Sequence, residues 1–148
     1  MATFVKFNKF LDQIGRKNFD FNADQLRFAL TNTAPTAATD TGFLPGSLHP
    51  PPAAANGYTT GGHNVTTASW SESGGVATLA CTVDVVITAT AGGIGPFQYV
   101  LLYDDTATAT GTAVADALIG YWNYGSSITL AVGETFTIDV TASLFTLT

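Results

Sequence analysis

The sequence predicts a mainly β protein: an antiparallel β-sandwich or jelly roll with a short N-terminal helix and a long Pro-rich loop. Three observations carry this expectation. Apolar and polar residues alternate strictly in several segments, as in Phe136-Thr137-Ile138-Asp139-Val140, which places one set of side chains on one face of a sheet. Eight or so short apolar runs are separated by clusters of turn-forming residues, the spacing of a sandwich. Only 11% of the 148 residues are charged while 46% are hydrophobic, and abundant Thr suits a pleated, half-buried surface. A chain of this length forms one domain, residues 1–148, and buries roughly 68–70% of its unfolded surface, enough to need no staples.

The first segment is the one helix candidate. Phe7, Phe10, Leu11 and Ile14 fall at i, i+3, i+4 and i+7 within Thr3–Phe19, one face of a helix. Asn8 offers an alternative, later N-cap. A helix of about 16 residues is marginal alone in water, so residues 1–24 read as a helical segment that lies on a sheet or a neighbouring subunit. Phe19-Asp20-Phe21-Asn22 forms a turn, and Gln25–Asn32 a strand with Leu26, Phe28 and Leu30 inward.

Residues 33–56 are Pro-rich and lack a period; loops of such length are usually functional or disordered. Pro50-Pro51-Pro52 favours an extended form without internal hydrogen bonds, and Phe43, Leu44 and Leu48 are apolar handles. The expectation is an arm that packs on another chain, against the alternative of a loop laid over its own sheet.

Val65–Ser71 reads as a strand, Val76–Thr90 as two strands or one bent strand with Asp84 near the break, and Pro96–Tyr103 as another strand. The low-complexity loop Asp104–Asp116 follows. Ala117–Val140 reads as two or more strands turning at Asn123, Gly125 and Val132-Gly133, and Leu144–Leu147 closes the chain.

Charge is strongly segregated. Lys6, Lys9, Arg16, Lys17 and Arg27 are all the basic residues; residues 28–148 carry eight acids and no Lys or Arg. The basic end either docks on an acidic partner or is the wet face of an amphipathic helix. An acidic body repels phosphate, so nucleic acid is not expected as a partner. No run of 18 apolar residues occurs, so no membrane span is expected, and the start MATFVKFNKF has no apolar signal core. Cys81 is the only cysteine; its apolar run, ATLACTV, makes it a buried small residue.

No catalytic constellation emerges. His49 and His63 lack metal-ligand spacing, and Gly92-Gly93-Ile94-Gly95 lacks the Lys and helix of a phosphate loop. Asp104, Asp105 and Asp116 either gather around calcium or stand solvated, the latter being the ordinary fate of adjacent loop acids. Neither a metal nor a cofactor is expected, nor enzymatic activity. Tyr121, Trp122 and Tyr124 form a sugar platform only if Trp122 and Tyr121 or Tyr124 are exposed together in one groove.

Four stretches carry a resemblance: FVKFNKFLDQIGRKNFDF; LRFALTNTAP; ANGYTTGGHNV; and IGPFQYVLLYDDTA with LIGYWNYGSSITLAVGETFTIDV. Together they resemble small β-sandwich structural proteins of tailed-bacteriophage virions, of the type that decorates or cements the capsid. The resemblance implies a protein made in the host cytoplasm and carried on the capsid surface, without enzymatic activity. It implies a homo-oligomer, dimer or trimer, docked on the major capsid protein. Contacts are then expected at Phe4, Lys6, Phe7, Lys9 and Arg16, and at Phe43, Leu44 and Leu48 of the arm. Removal of residues 1–19 is expected to abolish docking and leave the body folded. The rivals are another virion part (tail tube, neck or fibre-associated) and a carbohydrate-binding adhesion module.

Overall fold

The computed structural model describes residues 2–53, 55–66, 68–107, 114–140 and 143–148. The fold is mainly β and antiparallel, with one short helix near the N-terminus. In chain order the elements are β1 (Phe4–Lys6), α1 (Asn8–Gly15), β2 (Leu26–Thr31), β3 (His63–Asn64) and β4 (Ser69–Ser73). They continue with β5 (Val76–Ala80), β6 (Val85–Thr88), β7 (Ile94–Asp104), β8 (Ala117–Leu130), β9 (Thr135–Ile138) and β10 (Phe145–Leu147). The main sheet has the order β1-β8-β7-β2-β3; β10-β5-β4 and β6-β9 form two smaller sheets. Part of the expected loop Asp104–Asp116, position 54 of the arm and position 67 of the expected strand Val65–Ser71 lie outside the described residues.

The main sheet is covered on both faces. Phe28, Leu30, Val100 and Trp122 share one face by strand alternation and pairing. Aromatic contacts tie the smaller sheets to the main one: Phe145 of β10 stacks on Phe4 at 5.1 Å, and Phe136 of β9 meets Phe97 edge-on at 5.0 Å. Alternation predicts Leu26, Phe28 and Leu30 inward, yet Ala29 and Thr31 are also fully buried. The arm covers the face they occupy.

The arm thus lies on its own body. Phe43 stacks on Tyr103 with ring centroids 4.6 Å apart, and Thr31 Oγ1 donates to the Pro50 carbonyl at 2.9 Å. Because β3 is only two residues long, the Leu30 N–H has no strand partner there; it donates instead to the Tyr58 hydroxyl at 2.8 Å. Buried backbone donors require such substitutes. This packing corrects the expected role of Phe43, which is 3% exposed and belongs to the core.

The N-terminal helix is shorter than its apolar period suggests. Residues 4–6 pair with β8, Phe4 opposite Trp122, and the absent side chain of Gly120 leaves room for the Phe4 ring. The helix begins after Phe7 rather than at Asn8 as cap; the Asn8 N–H donates to the Ala37 carbonyl of the arm. It ends at Gly15, is capped by Arg16, and the chain turns away at Lys17, whose φ is 60°. There the Lys17 and Asn18 N–H groups return to Ile14 and Gln13, a Schellman termination without the usual glycine. The buried stripe also rotates: Phe10 and Gln13 are buried, while Leu11 is 49% exposed.

Phe7 and Phe10 are fully buried, so Phe7 is corrected from docking contact to core residue. Phe10 contacts Phe19, Phe21 and Phe145, and Phe21 contacts Trp70. Burying each such ring is worth about 1.5–3 kcal/mol. Loss of residues 1–19 would therefore remove an edge strand and two core rings, which corrects the expectation of an intact truncated body.

The run Val76–Thr90 forms two strands, with Asp84 at the break accepting a hydrogen bond from the Val140 N–H at 2.9 Å. The expected turn at Asn123–Gly125 does not interrupt the chain; β8 runs on to Leu130 and the turn signal becomes a bulge.

Candidate functional site

Exposed cations surround the N-terminal helix. Lys6, Arg16 and Lys17 are exposed and Lys9 is half-buried. Asp12 bridges Lys9 at 2.5 Å and Arg16 at 2.8 Å. Hydrogen bonds from Lys9 and then Arg16 hold its carboxyl down at about 2. Arg27 lies apart, its Nε 3.2 Å from Asp105 on the sheet. Of the expected contacts, Lys6 and Arg16 stand at the surface, Phe4 is half-buried against Trp122 and Phe145, and Phe7 is internal.

On the arm, Leu44 and Leu48 are 48% and 47% exposed. They flank a turn closed by His49, which is fully buried. The Leu44 N–H donates to His49 Nδ1 at 3.2 Å, and Nε2 lies 3.2 Å from Asp40 Oδ2. Since Nδ1 accepts, the proton sits on Nε2 and faces the carboxylate. His49 is thus a clamp for the turn, a role that the sequence did not disclose because its partners lie on a segment without period.

A cleft of about 440 Å³ opens between β9 and the main sheet, lined by Val100, Trp122, Tyr124, Phe136, Ile138 and Leu144 and also by Thr137, Asp139 and Ser143. Trp122 is half-buried and Tyr124 is 58% exposed. A sugar platform requires Trp122 and a neighbouring tyrosine exposed together in one groove; Trp122 and Tyr124 both line this cleft, but only Tyr124 is exposed. Tyr121 lies on the opposite face, packed against Phe7 at 5.4 Å.

The acids of the β7–β8 end do other work. Asp104 is fully buried; its Oδ1 accepts from the Thr106 and Ala107 N–H groups at 2.8 and 3.1 Å. Burial, followed by the nearby Asp24 charge, pushes its carboxyl up to about 7. Among the described residues, no three His, Cys, Asp or Glu side chains gather to hold a metal ion. Cys81 is 2% exposed, and burial pushes its thiol up to about 11, so it is protonated and unreactive at neutral pH. Among the described residues, no helix is long and apolar enough to cross a membrane.

These features define a class: a mainly antiparallel β protein with a basic N-terminal strand–helix unit, an acidic body and an aromatic cleft. No protein-family model, curated protein or solved structure matches the chain.

Proposed function

We propose that the chain is a non-enzymatic structural protein of a tailed-phage virion, of the capsid decoration or cement type. It docks through its basic strand–helix unit on an acidic surface of the major capsid protein. One observation carries this reading: every Lys and Arg lies within residues 1–27, and Lys6, Arg16 and Lys17 are at the surface, as is Leu11. Exposed basic groups on one segment of an otherwise acidic chain suit a partner of opposite charge, because complementary charge steers encounter and fixes register. The resemblance of the quoted stretches supplies the virion context. Leu44 and Leu48 are the second contact, to a neighbouring copy or to the shell.

The test is co-sedimentation with shells assembled from the major capsid protein of the same phage. The intact chain should bind, and raised salt should weaken binding. The variant Lys6→Glu/Arg16→Glu/Lys17→Glu should not bind, while its far-ultraviolet circular dichroism stays that of the parent. Failure of the parent to bind, or undiminished binding by the variant, would remove the proposal.

A further inference from the structure

The turn before β2 and the end of β7 are stitched into one seam. The Gln25 N–H donates to Thr106 Oγ1 at 2.7 Å, and the Asp105 N–H donates to the Gln25 carbonyl at 2.9 Å. Each side of the seam carries one carboxyl built into its own turn. Asp24 accepts from the Asp20 N–H, while the Ala23 and Asp24 N–H groups donate to the Asp20 carbonyl. Asp104 stands opposite Leu26 in the ladder, and its Oδ1 accepts from the Thr106 and Ala107 N–H groups.

These two carboxyls meet. The Asp24 carboxyl lies within hydrogen-bond reach of Asp104. Asp104 is fully buried, and its Oδ2 has no hydrogen-bond donor among the described residues. An ionised carboxylate only accepts. Two of them would leave that oxygen unpaired and set like charges side by side at a buried position. One shared proton removes both faults: it supplies the missing donor and cancels one charge. Leaving a buried polar group unpaired is costly, so the fold favours keeping the proton.

The surrounding charges offer no other remedy. Asp105, next along the chain, faces Arg27 of β2, whose Nε lies 3.2 Å away. Asp116, just before β8, is a further acid, pushed up by burial and then by the Asp105 charge. Asp20 adds another acid to the turn, and its Oδ1 accepts from the Asn22 N–H. Residues 108–113 are Thr, Ala and Gly alone, so they add no titrating side chain.

We infer that Asp24 and Asp104 share one proton and form a pH-operated latch between the turn before β2 and the end of β7. The latch is closed while the proton is held. When the proton leaves for solvent, two charged carboxylates face each other and the seam opens locally. Burial, and then the Asp24 charge, push Asp104 up to about 7, which sets the opening near neutral pH. A raised carboxyl supports the fold fully below its ordinary value of 3.8 and loses that support as the pH rises through about 7. His63, which burial lowers, works in the opposite sense, so the latch is read as a difference between parent and variant. It does not rest on the docking proposal.

Asp104→Asn is the decisive variant. Its amide still accepts from Thr106 and Ala107 and donates to Asp24, which is the closed arrangement with no proton to lose. Carbon NMR of the side-chain carboxyls in the intact chain should show the pair titrating with an apparent value of about 7. Asp104→Asn and Asp24→Asn should each abolish that titration. In thermal unfolding at pH 5 and pH 8, Asp104→Asn should gain on the parent as the pH rises and exceed it at pH 8. Amide exchange, corrected for its intrinsic pH dependence, should quicken at Gln25 and Asp105 by at least about tenfold over this range in the parent. It should not do so in Asp104→Asn, and Leu79 of β5 should be unaffected in both. Asp24 is half-buried, so Asp24→Asn keeps the comparison decisive where Asp104→Asn fails to fold. The inference is overturned if no carboxyl titrates near that value, if Asp104→Asn is less stable than the parent at pH 8, or if calcium closes the seam at pH 8, which would make the pair a cation site.

Discussion

The N-terminal segment and the Pro-rich arm both lack the alternation of the body, and both lie on the main sheet, yet they are held by opposite means. The N-terminal segment is anchored by apolar side chains: Phe7 and Phe10 are fully buried, and Phe10 touches three other rings. The arm is anchored by one ring, Phe43, and by directed hydrogen bonds: Thr31 to the Pro50 carbonyl, the Phe43 N–H to the Asp116 carbonyl and the Leu118 N–H to the Thr41 carbonyl, with its own turn closed on His49. Apolar anchoring is non-directional and scales with area. Polar anchoring contributes little net per bond, but leaving one buried group unpaired is expensive. The first segment should therefore fail with the whole fold, and the second should fail locally.

The largest expected effect is at Phe10. Phe10→Ala removes a fully buried ring, a change that typically destabilises by about 3–5 kcal/mol. Its urea midpoint should fall steeply and its unfolding should stay a single transition. A small shift, or a separate early transition confined to the helix, would mean that the segment is an appendage after all.

A smaller and more local effect is expected at His49. His49→Ala leaves the Leu44 N–H without its partner and removes one of the contacts of the Asp40 carboxylate, which still accepts from the Thr36 N–H, at a penalty of about 1–3 kcal/mol. Amide hydrogen exchange should accelerate from Leu44 to His49, with β2 and β7 still protected. Uniform loss of protection would show that the arm and the sheet are one cooperative unit.

This contrast also explains what was legible in the sequence. Elements with a period were readable: β2 and β9 lie within a residue or two of their alternating runs, β7 within two residues of the apolar run Pro96–Tyr103, and the run Val76–Thr90 resolves into β5 and β6. Elements defined by what they touch were not. Residues 4–6 carry helical spacing but pair with β8, because a strand edge offers three residues more than an isolated first turn does. Phe43 and Phe7 read as handles for a partner because sequence gives hydrophobicity without saying which surface absorbs it. The Tyr124 bulge was visible only as a turn signal at Asn123 and Gly125. That signal was real, but pairing with β7 on both sides turned it into an outward kink rather than a reversal. Of the cleft, the aromatic pair Trp122 and Tyr124 was legible; the lining from Phe136 and Leu144 was not, since it depends on how β9 lies against β8.

The smallest effect should come from the charges that the docking proposal needs. Asp12 is held at about 2 by Lys9 and Arg16, but all three side chains are substantially exposed, where ion pairs add little to stability. A lowered carboxyl supports the fold fully above its ordinary value of 3.8 and loses that support as the pH falls through about 2. Arg16→Gln should thus leave the urea midpoint at pH 7 unchanged within error, and helical circular dichroism should persist between pH 5 and pH 3 because Phe10 still anchors the helix. If the midpoint moved as far as it does for His49→Ala, the cations would be part of what holds the segment down. Their exposure would then no longer argue for a partner, since side chains kept for stability need no second surface to explain them.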